Sequence, residues 1–177
     1  MKRIVFTLIV AFSFILSSQV FAFASPKWDN PKSIRTYIEP NDKKELMKEA
    51  FAKWTQETGR NIIFKYVSTP QNAQIKVEFV KDASKTSKME HAAGVTYYKY
   101  AGDRLVEARI EIADRAPNGA AFRKDAVYRI MLHEIGHAIG IIEHSPDPMS
   151  IMYFQKRSRN QAITKNEIKF LSQLYAW

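Results

Sequence analysis

Residues 133–144 read HEIGHAIGIIEH. His133 and His137 stand four residues apart, so on an α-helix they project from one face, one turn apart. Both imidazoles can then reach a single ion. Imidazole nitrogen binds zinc at about 2.0–2.1 Å, and zinc prefers a tetrahedron, so two ligands from one helix leave room for a third protein ligand and a water. Glu134 follows His133 directly. It leans toward the metal's edge without needing to coordinate, and it can accept a proton from a water held there. A third ligand has to come from beyond the helix, and Gly140 allows a sharp stop because no β-carbon obstructs a positive φ. A bare HExxH turns up by chance in many helices. Here Gly140, a later histidine (His144) and the Ser-Ile-Met-Tyr turn at 150–153 stand downstream, and together they make a metal site the stronger reading.

Working outward, apolar residues at helical spacing run from about Phe122 to Ile139, with Val127, Ile130, Met131, Ile135 and Ala138 on the packed side. Further back, Gly94–Tyr100 and Leu105–Ala113 alternate as strands joined by Ala101-Gly102-Asp103. Asn61–Val67 and Gln74–Val80 read as two more strands, separated by a turn at Ser68-Thr69-Pro70. Ser33–Glu39 is another, closed by Pro40. Between the first two strands a helix is expected, with Asp42 as N-cap, Glu45 reaching back to it, and Leu46, Met47, Ala50, Phe51 and Trp54 as its apolar stripe. Gly59 stops it. Near the end, Thr164-Lys165-Asn166-Glu167 is a capping box that opens a last helix through Ile168, Leu171, Leu174 and Tyr175.

These residues resemble the metzincin metallopeptidases, closest to the bacterial matrixin-like branch. The pattern of that family is H-E-x-x-H-x-x-G-x-x-H followed by a methionine turn. The likeness reaches past the motif, to the long helix carrying Ala50, Phe51 and Trp54 and to the order of strands and capped final helix. It implies an α+β, zincin-like catalytic domain: a twisted, mostly parallel mixed sheet of about five strands, two long helices and a C-terminal helix. It also implies one catalytic zinc, with His133, His137 and His144 as ligands, Glu134 as general base, Gly140 as the bend and Met152 as the methionine beneath the site. The chain departs from the pattern at one point. Three residues rather than two separate Gly140 from the histidine, which puts Glu143 at the usual ligand position. Bacterial matrixin-like sequences with the histidine one residue late favour His144, and Glu143 stands as the alternative ligand. Gly94–Tyr100 is implied to be the edge strand above the cleft. The resemblance also allows structural calcium, but no loop here has convincing calcium-ligand spacing.

The expected function is thus a secreted zinc endopeptidase, in which a zinc-activated water attacks a peptide bond with Glu134 as base. Ligating histidines must be neutral, so activity should fall in acid. The alternative is a catalytically weak zincin-fold module that binds cell-wall polymer or a partner protein. Glu134 discriminates between them, because a binder needs no base.

The remaining features bound the setting. Lys2 and Arg3, the apolar run Ile4–Leu16 and Ala22-Phe23-Ala24 have the anatomy of a secretory signal peptide over residues 1–24, leaving 25–177 as the catalytic domain. Ser17, Ser18 and Gln19 interrupt the run short of the roughly 20 apolar residues of a membrane span. No stable membrane insertion is expected after cleavage, and the location is extracellular or periplasmic. There are no cysteines, which excludes disulfides, a cysteine nucleophile and a thiolate zinc site. The formal charge of +9, or +7 without Lys2 and Arg3, is scattered, with its tightest knot at Lys156-Arg157-Ser158-Arg159. That is a solvated basic surface, and no nucleic-acid partner is expected. The partner is a peptide or protein substrate, met by a monomer. His91 reads as an exposed loop residue, Asp147 as a turn former, and Tyr97, Tyr98 and Tyr100 as strand packing. Tyr153 and Phe154 follow Met152 and give the pocket beside the cut an apolar character.

Overall fold

The computed structural model describes residues 25–81, 83, 92–116, 119–153 and 161–177; segment 1–24, His91, Phe154 and the basic knot at Lys156-Arg157-Ser158-Arg159 lie outside them. The elements run β1 (Ile34–Ile38), α1 (Lys44–Glu57), β2 (Phe64–Tyr66), β3 (Ile75–Val80), β4 (Gly94–Ala101), β5 (Arg104–Ala113), α2 (Lys124–Ala138) and α3 (Lys165–Tyr175). The strands form one sheet in the order β2-β1-β3-β5-β4. All neighbours are parallel except β4, which returns antiparallel on β5 through the turn at Gly102 and Asp103. This is the mixed five-stranded α+β architecture expected, and β4 is an edge.

Alternation decides which face the helices cover. Ile34 and Ile38 of β1, Ile75 and Val77 of β3, and Ile110 and Ile112 of β5 are buried. Against them lie Met47, Ala50, Phe51 and Trp54 of α1 and Met131 and Ile135 of α2, all inaccessible to solvent. The opposite face is charged. Lys76 bonds Glu107 there at 2.6 Å, and Arg109 reaches Glu78 at 3.3 Å and also pairs with buried Glu111. Arg109 also lies 4.6 Å over the ring of Tyr97.

Two sequence expectations need correction. α1 begins at Lys44, and Asp42 does not cap it. Asn41 takes the turn instead, its side-chain oxygen accepting from the Lys43 amide at 3.0 Å, while the Asp42 carboxylate pairs with Lys43 Nζ. β2 is three residues long rather than seven, because Ile63 gives its amide to Pro31 and its carbonyl to Ile34 before the ladder starts. The stop at Gly59 stands: its φ is +56°, and the amides of Gly59 and Arg60 return to the carbonyls of Gln56 and Thr55. Among the described residues, no helix is long and apolar enough to cross a membrane.

Candidate metal centre

α2 carries the first two histidines and is pinned just before them. The indole Nε1 of Trp54 donates to the Leu132 carbonyl at 2.9 Å, tying α1 to the turn that presents His133. His133 is buried, His137 half-buried and His144 exposed. His133 Nδ1 lies 2.7 Å from the Ile151 carbonyl oxygen, and His137 Nδ1 lies 2.7 Å from that of Ile141. A carbonyl oxygen only accepts, so both Nδ1 atoms carry a proton, and in the neutral form each ring presents Nε2 as an electron-pair donor. The two Nε2 atoms stand 3.1 Å apart. Bonds of about 2.0–2.1 Å to a tetrahedral zinc would put them about 3.3–3.4 Å apart. His144 completes the group: its ring stacks on His133 at 5.2 Å and stands edge-on to His137 at 5.0 Å. One nitrogen from each of the three lies within 4.8 Å of the others. Two imidazoles whose Nδ1 protons are held by carbonyls, with a third histidine close by, suit zinc.

The bend between helix and third histidine rests on Gly140. Its φ is +106°, and the amides of Gly140 and Ile141 return to the carbonyls of His137 and Gly136. A β-carbon there would meet the backbone oxygen of Pro26 and Leu174 Cδ2, each at 2.8 Å. The last carbonyls of α2, which the helix itself cannot satisfy, are taken by side chains. Trp28 Nε1 donates to Ala138 and the Tyr175 hydroxyl to Ile139, both at 2.9 Å. Burial pushes the Tyr175 phenol well up, keeping it a donor, with the Trp28 amide bond working the other way.

Beneath the histidines runs the methionine turn. Met152 is 1% exposed; its amide donates to Ser150 Oγ at 2.9 Å and its carbonyl accepts from Ser145. Ser150 donates in turn to Glu167 Oε1 at 2.6 Å, while Glu167 Oε2 accepts from the Thr164 amide. The capping box of α3 is therefore formed as expected, and it also holds the floor of the site. A β-carbon at Gly136 would run into Met152 Sδ and lie 3.2 Å from Trp54 Cζ2. In Gly136→Ala the better helix propensity is worth about 1 kcal/mol. Overpacking a closed core costs about 1–3 kcal/mol, so a net loss near 1 kcal/mol is expected. Thermal unfolding checks this; a raised melting temperature would mean Met152 moves aside freely.

Glu134 is 3% exposed. Thr96 of β4 sits against it, with Oγ1 2.8 Å from Oε2 and 3.0 Å from the Glu134 carbonyl oxygen. Glu143 is exposed and not part of the histidine group; its charge, after burial and Tyr100, helps raise the Tyr98 phenol. Asp147 is a turn former, its Oδ1 accepting from the Met149 amide at 2.9 Å. Tyr153 lines a small cavity of about 40 Å³ with His133 and Ile151. Arg129 lines it too, salt-bridged to Asp125, so its character is not purely apolar. The sequence assigns no site role to Gly136, Thr96 or Trp28, and it marks Tyr175 only as part of the final helix. Only Gly136, inside the motif, carried a signal: a glycine in mid-helix usually marks close packing.

Sheet, helices and histidine cluster together are those of a zinc metallopeptidase with metzincin architecture. The matrixin family model matches residues 28–176, and the chain belongs to the matrixin family. No curated protein sequence matches it. Several solved structures share its fold. Myroilysin is similar at 15% identity over 86% of this chain and 96% of its own, with a TM-score of 0.53. Archaemetzincin from Methanopyrus kandleri follows at 11% identity over 82% and 97%, TM-score 0.51. High choriolytic enzyme 1, a hatching enzyme zinc-protease from the medaka fish Oryzias latipes, is similar at 13% identity over 86% and 94%, TM-score 0.50.

Proposed function

We propose that this metallopeptidase is a secreted endopeptidase that holds one zinc through His133, His137 and His144 and uses Glu134 as its general base. The observation that carries the reading is the convergence of three histidine nitrogens within 4.8 Å, two of them on the helix that also carries a buried carboxylate at Glu134. His144 rather than Glu143 is the third ligand in this reading, because its nitrogen, and no oxygen of Glu143, falls within the 4.8 Å group. Zinc held there would supply Lewis acidity and lower the pKa of a water toward about 7. Glu134 takes a proton from the attacking water and later delivers it to the leaving amine nitrogen. The side of β4 away from β5 offers backbone groups to an extended peptide, as in strand addition. That suits an enzyme gripping a chain on both sides of the cut. A binding module would have no use for a buried carboxylate at this place.

Metal analysis of purified protein, joined to a peptide-cleavage assay, tests the reading. About one zinc per chain is expected, with cleavage abolished by a chelator and restored by zinc. No zinc after reconstitution would sink it. Residues 1–24 are proposed to be the signal segment that directs export, leaving 25–177 as the catalytic domain. Sequencing of the exported protein should start at Ser25, and an intact Met1 terminus outside the cell would count against this.

A further inference from the structure

Gly94 and Thr96 are two residues apart on β4, so both face α2. Thr96 Oγ1 lies 2.8 Å from Glu134 Oε2. A β-carbon at Gly94 would come within 2.8 Å of Glu134 Cγ and 2.9 Å of Oε1. Two positions of the edge strand thus bracket one carboxylate: one leaves a slot for it, the other offers it a hydrogen bond. Nothing in the HExxH spacing calls for a hydroxyl on a neighbouring strand. We propose that Thr96 is a positioning residue that holds the Glu134 carboxylate in its working orientation, in the slot Gly94 leaves open. This rests on the reading of Glu134 as the base.

The chemistry of the contact supports the role. A buried carboxylate needs partners to stay oriented. The threonine hydroxyl has one proton and two acceptors in reach, Oε2 and the Glu134 carbonyl oxygen at 3.0 Å. Toward an ionised carboxylate the charge-assisted bond is the stronger, so the proton points to Oε2. Once Glu134 has taken a proton, its carboxyl O–H can donate to Thr96 Oγ1, which turns its own proton to the carbonyl. The contact therefore survives both forms the base adopts within one turnover. Thr96 is β-branched, with few χ1 choices, so the hydroxyl is fixed by the strand.

The test uses the zinc-loaded enzyme and a quenched-fluorescent peptide selected from a mixed library by wild-type cleavage. Thr96→Val keeps the shape and removes the hydroxyl. It should lower kcat by about 10- to 100-fold, the worth of one hydrogen bond to a charged group, with KM and zinc content unchanged. Thr96→Ser should return kcat to within about threefold of wild type, since it restores that bond. A wild-type kcat in the valine variant overturns the proposal. So does a loss that falls in KM or zinc content, or a serine variant as slow as the valine one. Glu134→Gln measured alongside separates the two readings. If it stays active, the base assignment fails; if it is inert beside a fully active Thr96→Val, only the role of Thr96 fails.

Discussion

Glu134→Ala is expected to lower kcat by about 10²–10⁴-fold, the usual contribution of a positioned general base, while leaving zinc bound and the fold intact. The side chain is not a proposed ligand, so the three-nitrogen cluster survives its loss. Nor does its removal strand the neighbouring hydroxyl, because Thr96 Oγ1 still has the residue-134 carbonyl oxygen at 3.0 Å. The lost bond to a charged group is opposed by relief from burying that carboxylate, and stability should stay within about 1 kcal/mol of wild type. Zinc content, melting temperature and kcat measured on one preparation check all three. Near-wild-type cleavage would remove Glu134 from the chemistry and call for another base.

His144→Ala is expected to cost zinc affinity and activity together. Loss of a partner that merely supports a ligand costs about 10–100-fold in affinity, so loss of a ligand should exceed about 100-fold. Glu143→Ala should leave zinc affinity within a few-fold, since that carboxylate is exposed and apart from the cluster. It should nevertheless register at Tyr98. Burial and Tyr100 would still hold that phenol above its ordinary value, but the part due to Glu143 would go, and the tyrosine would titrate at lower pH. The choice of ligand also sets charge. A neutral imidazole leaves the metal more electrophilic than a carboxylate does. If Glu143→Ala strips the metal and His144→Ala does not, the third ligand is the carboxylate.

Much of this is legible in the sequence, for a physical reason. Helical periodicity places His133 and His137 on one face whatever surrounds them, and the stripe of Met47, Ala50, Phe51 and Trp54 marks α1 in the same local way. The box from Thr164 to Glu167 is local too, and it forms. What stayed hidden depends on contacts between distant parts of the chain. The strand order, with β3 between β1 and β5, comes from side-chain packing across the sheet rather than from any one strand's alternation. Asp42 and Asn41 are both good turn formers, and only the hydrogen bond to Lys43 decides between them. Thr96 looks like any alternating strand residue until α2 is laid against it. Gly136 looks like a weak spot in a helix until Met152 and Trp54 are seen to fill the space.

The double engagement of Glu167 links two regions in time as well as in space. One carboxylate oxygen closes the first turn of α3 and the other holds Ser150 under the histidines. Fraying of that turn, ordinarily an independent event at a helix end, therefore loosens the loop that carries Ile151 and Met152. The Thr164 and Met152 amides are therefore expected to open as one cooperative unit, with hydrogen-exchange protection that rises and falls together. The last helix acts as a latch on the floor beneath the histidines, and the opening free energy of that latch sets the fraction of molecules in which the floor is held.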